Sequence, residues 1–167
     1  INVKINGENY GIYAIEEHYA KQLIENNQNR EGPIIRFNES ISTHYKKATI
    51  EPFKATNWKN NENFSLTQKA INLLEAFRTN QLKISQVFNV KKLATFFAIS
   101  DLNHARHGMV AKSMRFYYNP ITSRLEPIPF DGHKGTSFTF MMAAELGINP
   151  VNNWTFSTNS EWFRKFF

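Results

Sequence analysis

The chain contains no cysteine, which excludes a disulfide framework, a thiolate metal site and a cysteine nucleophile. No apolar run reaches the roughly 18 residues that a membrane-spanning helix needs, and the first residues show no basic, apolar and small-residue series of a secretory leader. Three chemical motifs are missing as well: the Gly-x-Ser-x-Gly elbow of serine hydrolases, the Gly-x-x-x-x-Gly-Lys phosphate loop and the Gly-x-Gly-x-x-Gly dinucleotide turn. A serine hydrolase is set aside, and any nucleotide is held in some other way. Nor does any stretch alternate bases with aromatics as a single-strand-binding groove does; Lys46–Lys47 and Lys91–Lys92 are short, separate pairs. No nucleic-acid partner is expected.

What is present is a net charge of +6, which favours phosphate-bearing partners without choosing among them. At 167 residues the chain suits one domain, residues 1–167, with a genuine core. It begins at Ile1 rather than methionine and ends in the apolar EWFRKFF, which reads as a piece cut from something longer.

The opening INVKINGENYGIYAIEE predicts two strands around Asn6-Gly7, a dipeptide tolerant of positive φ, with Val3, Ile5, Ile12 and Ala14 on a buried face. The run EEHYAKQLIENN predicts a helix with Tyr19, Leu23 and Ile24 on one side and Glu16 and Glu17 in its first turn. IIRF, after the Gly32-Pro33 break, predicts a short strand, and residues 38–63 read as irregular. Ser65 with Gln68 forms a capping box ahead of Ala70, Leu73, Leu74 and Phe77, and Asn89 caps a second helix running into Asp101. A hairpin follows over Met114–Tyr118 and Leu125–Phe130, then a helix over Phe138–Leu146 that Gly147 ends. The series reads as α+β.

Asp131 stands where an apolar strand runs out into Gly132, a common mount for a carboxylate that grips a divalent cation against phosphates; a turn aspartate is the plainer alternative. The run DLNHARHG brings Asp101, His104, Arg106 and His107 to a helix end. Asp101 or His107 opposite Asp131 would join a proton acceptor and a metal carboxylate in one cleft. Equally, the histidines favour the helix's negative end, and a zinc site of His104, His107 and His133 lacks the helical His-Glu pair of zinc hydrolases. Arg115 can pair with Asp131 or a phosphate through its planar fork, or snorkel from an edge strand. Trp58, Trp154 and Trp162 raise a rival, a glycan-binding surface, against which stands the usual burial of tryptophan.

Taken in order, ING-E-Y-G-x-Y-x-x-x-E at Ile5–Glu17, GPIIRF, D-L-x-x-A-x-H-G at Asp101–Gly108 and RFYYNP…LEPIPFD at Arg115–Asp131 resemble the CotH family of atypical protein kinases, named for a spore-coat protein. The resemblance implies an atypical protein-kinase-like α+β domain, incomplete at its N-terminal side. Its cofactors would be ATP and Mg2+ or Mn2+, and its partner a protein substrate with a serine or threonine hydroxyl. It implies Asp131 as the metal ligand, Asp101 or His107 as the catalytic acceptor, and Glu17, Arg36 and Arg115 toward the nucleotide. An extracytoplasmic location is implied in the same way. The family's nucleotide-gripping lysine lies upstream of the N-G-x-x-x-G-x-Y motif, Lys4 does not match it, and the chain as given is expected to bind ATP poorly. Where relatives often carry Asn ahead of the RFYY strand, Lys112-Ser113 stand here, which leaves a catalytically impaired pseudokinase or interaction module as the alternative.

Overall fold

The computed structural model describes residues 1–13, 17–38, 45–53, 63–103, 105–132 and 158–167. The first hairpin forms as predicted, with β1 (Asn2–Ile5) and β2 (Glu8–Ile12) antiparallel. Asn6 at φ 52° and Gly7 at φ 88° supply the two left-handed positions that a tight hairpin turn requires. The expected burial does not follow: Ile5 is 50% and Ile12 89% exposed. Alternation fixes which side chains share a face, whereas burial needs another layer on that face. Helix α1 (Lys21–Asn26) starts later than the acid pair suggested, so Glu17 lies outside it.

The main sheet has four strands: β3 (Ile34–Phe37), β4 (Ile50–Pro52), β5 (Arg115–Asn119) and β6 (Arg124–Ile128), all antiparallel in the order β4-β3-β5-β6. Strand β4 falls inside the stretch read as irregular; at three residues it is too short to show a period, and its Pro52 suits an edge. The register pairs Ile35 with Phe116, Arg36 with Arg115 and Tyr117 with Glu126. With a period of two, Ile35, Phe37, Phe116, Tyr118 and Leu125 share one face, and Ile34, Arg36, Arg115, Tyr117 and Glu126 the other.

The first face carries the larger core. Against it pack Leu74 and Phe77 of α2 (Phe64–Arg78), Val87 of the short α3 (Ile84–Val87), and Leu93, Phe96 and Phe97 of α4 (Val90–Leu102). After α5 (Arg106–Met109), the same core receives Trp162 and Phe163 from α6 (Thr158–Phe163). Trp162 is wholly buried, with its indole N–H donating to Met114 Sδ at 3.2 Å, so it supplies no glycan platform. Trp58, Trp154 and the helix expected over Phe138–Leu146 lie outside the described residues. On the opposite face Tyr19, Ile24, Ile34 and Tyr117 form a smaller cluster, with Phe53 and Phe130 packed against it.

The start of α2 also differs from expectation. Asn63, not Ser65, is the N-cap of α2; Ser65 sits inside the first turn and Gln68 bonds Asn72 at 2.7 Å instead of closing a box. For α4 the expected cap holds: the Asn89 side chain accepts from Lys92 N at 3.2 Å. The same residue donates its backbone N–H to Leu125 O at 2.9 Å, which anchors the helix start to the hairpin. Among the described residues no helix is long and apolar enough to cross a membrane.

Gly32 marks where the segment before β3 crosses the second hairpin. A Cβ there would lie 2.3 Å from Tyr118 O and 3.0 Å from the Tyr117 ring, beside the 2.9 Å bond from Tyr118 N to Pro33 O. Gly32→Ala is expected to lower stability by about 1–3 kcal/mol, the usual cost of overpacking, as a fall in denaturant midpoint at unchanged slope.

Candidate active site

β6 ends at Ile128, and Pro129 and Phe130 carry the chain to Asp131, whose φ of 50° is left-handed. Aspartate and asparagine reach that region more readily than other non-glycine residues. The approach is held on both sides. The Arg115 guanidinium carbon lies 4.5 Å over the Phe130 ring, and the Tyr19 ring meets Phe130 edge-on at 5.5 Å. Tyr19 also donates its hydroxyl to Pro129 O at 3.4 Å. Arg115 is only 1% exposed and donates to Lys112 O at 2.7 Å, so in this structure it is a buried support for Phe130 rather than a snorkelling surface residue.

A second element closes on Asp131 from the other side. At Gly108 in α5 a Cβ would stand 2.6 Å from Phe130 O and 3.3 Å from Gly132 Cα, so backbone meets backbone there. This approach brings His107 Nδ1 to 2.7 Å from Asp131 Oδ2. Their side chains remain 28% and 34% exposed. Asp131 opens onto a crevice of about 340 Å3 that Phe96, Ser100, Asn103, Ala105 and Gly108 also line. Asp101 sits on the last turn of α4, partly exposed, between lining neighbours but not itself in the lining.

Glu17 lies in a cleft of about 450 Å3 with Tyr117, Lys92 and Glu126; Pro129, just past β6, lines both this cleft and the Asp131 crevice. Glu17 accepts from Asn26 Nδ2 at 2.6 Å. Glu126, 4% exposed, is held by Lys92 Nζ at 2.5 Å and by the side-chain amides of Asn119 at 3.1 Å and Asn89 at 3.3 Å. A buried carboxylate needs such partners, and here they bind α4 to the hairpin. Arg36 is directed elsewhere: its Nε donates to Glu51 Oε1 at 3.2 Å and its guanidinium lies over Phe53, on the β4 side of the sheet. The structure therefore joins His107 to Asp131 and sets Glu17 in the next cleft, while Arg36 is engaged with its edge-strand neighbour. His104 and His133 lie outside the described residues.

Burial first, and the Glu126 carboxylate second, push the Tyr117 phenol up to about 12 from its usual 10. Its hydroxyl donates to Arg30 O. Because the folded chain holds this proton more tightly, the stabilisation is complete below pH 10 and is lost as pH rises toward about 12. An ultraviolet tyrosinate titration is expected to show one phenol ionising near pH 12, absent in Tyr117→Phe, with the denaturation midpoint falling over the same range.

Ser100 and Asn103 line the crevice without having been singled out by spacing; their signal was the change from an apolar helix to small and polar residues at its end. Among the described residues no group of three or more His, Asp or Glu side chains gathers as a metal cage. The donor set fits a magnesium-like cation nonetheless, since such ions are commonly held by one or two carboxylates together with substrate phosphates and water. Asp131 is partly exposed, which leaves room for a cation and its phosphates.

No curated protein and no solved structure matches the chain. The family described as CotH kinase protein matches residues 1–167, the full length of the chain. By that match, and with the motif residues placed as above, the chain belongs to the CotH kinase family.

Proposed function

We propose that the chain forms part of an ATP- and divalent-metal-dependent protein kinase that transfers phosphate to a serine or threonine hydroxyl. One observation carries the reading: the Asp131 carboxylate, 2.7 Å from His107 Nδ1, opens onto a crevice that shares Pro129 with the Glu17 cleft. Magnesium or manganese bound with ATP would neutralise phosphate charge. Asp131 would hold the cation, with His107 positioning Asp131. Asp101, on the helix turn whose neighbours line the crevice, orients the attacking hydroxyl and receives its proton. Glu17 faces the nucleoside. Arg115 acts as a positioning residue behind Phe130, and Arg36 has no part in the transfer. The domain arrangement is that of an atypical kinase, and the family likeness supports a location outside the cytoplasm.

A second reading, a nucleotide-binding interaction module without transfer, is supported by Lys112 and Ser113, where relatives often place Asn; Ser113 is 3% exposed. Incubation of the complete protein with γ-labelled ATP and a hydroxyl-bearing protein, with and without Mg2+, separates them. Metal-dependent labelling is expected. Tight nucleotide binding without labelling would favour the module, and absence of both would reject the two readings together.

A further inference from the structure

Away from Asp131, the C-terminal end of α2 and the turn after α6 enclose a cleft of about 650 Å3. Among the described residues that line it, four cations, Lys46, Arg78, Arg164 and Lys165, outnumber two carboxylates, Glu75 and Glu161, by two. None of these described residues lines the Asp131 crevice or the Glu17 cleft.

Both carboxylates are already matched. Glu161 Oε2 lies 2.7 Å from Lys46 Nζ, and Glu75 pairs with Arg78, which also donates to Tyr45 O at 3.0 Å. Lys165 instead donates to the neutral amide oxygen of Asn80 and rests 5.3 Å from the centre of the Phe77 ring. Burial first, and the Lys46 charge second, lower its ammonium pKa. Cations at a helix C-terminus are often no more than dipole partners, and the end of α2 does face this cleft. That end supplies only about half a negative charge, however, and leaves most of the surplus unmatched.

We propose that this cleft binds a phosphate dianion, with Arg164 and Lys165 as its principal donors and Lys46 at the rim. The charge of such an ion matches the surplus, and the planar fork of Arg164 suits its oxygens. The volume exceeds that of a bare ion and admits a phosphorylated side chain with its neighbours. The site does not use Asp131 and stands independently of the phosphotransfer reading.

Calorimetry on the complete protein at low ionic strength tests it with three probes: a phosphoserine peptide, the same peptide with serine, and inorganic phosphate. The phosphopeptide is expected to bind the wild type. The variant combining Arg164→Gln and Lys165→Gln should weaken binding by about tenfold or more, and Asp131→Asn should leave it unchanged. Equal binding of inorganic phosphate would assign the free ion as the ligand; much weaker binding would assign a phosphorylated chain. Because the double variant removes surface charge that a general effect could mimic, the Lys165 ammonium is also titrated by NMR, where saturating phosphate should raise its pKa. Equal binding of both peptides together with no response to inorganic phosphate, an unaffected double variant, loss of binding in Asp131→Asn, or an unmoved Lys165 would overturn the proposal.

Discussion

Asp131→Asn is expected to lower metal-dependent phosphoryl transfer at least about 100-fold, a loss typical of removing one electrostatic stabiliser from a reaction site. The fold should survive it. Position 131 has φ 50°, and asparagine adopts that conformation as readily as aspartate does. An amide matches a carboxylate in size and shape, so the 2.7 Å approach of His107 need not be lost with the charge. Alanine would be a poorer test, because a Cβ without a polar partner in the left-handed region adds about 1–2 kcal/mol of backbone strain and confuses site with stability. The transfer rate and the thermal midpoint, measured side by side, separate the effects: the first collapses and the second stays within a few degrees. A rate retained within a few-fold would remove Asp131 from the metal site.

Gly108→Ala should also cut transfer, although position 108 carries no functional group. Its added methyl would sit 2.6 Å from Phe130 O, a backbone atom that cannot rotate away, so α5 or the segment ending in Asp131 must shift. Displacements near 1 Å at a reacting centre can cost about 100-fold in rate. The packing strain itself should cost only about 1–3 kcal/mol, leaving a folded protein. A folded Gly108→Ala protein with normal activity would mean that α5 does not position Asp131.

These two residues show how far sequence reading reached. Asn6-Gly7 and Asn89 were legible because turn and cap chemistry is local, and two short apolar runs on either side of Asn119-Pro120 correctly indicated the second hairpin. Asp131 could be seen as a carboxylate at a strand's end. Asp101 and His107 were both candidates to stand opposite it, and the sequence could not choose between them, because the meeting with His107 depends on Gly108 admitting the backbone of a segment more than 20 residues further along the chain. The one-turn helix α5 and the three-residue β4 are too short to show a period. Burial was the weakest inference: Ile5 and Ile12 have the right spacing for a covered face and are exposed, while Arg115, a charged residue, is nearly wholly buried.

The central claim is a divalent cation held at Asp131, and paramagnetic broadening addresses it most directly. Mn2+ with ATP is titrated into the isotope-labelled complete protein while backbone amide signals are followed. Early, selective broadening at His107, Gly108, Asp131 and Gly132, abolished in Asp131→Asn, is the expected result. Broadening centred elsewhere, or unchanged in Asp131→Asn, would contradict a metal site on this carboxylate.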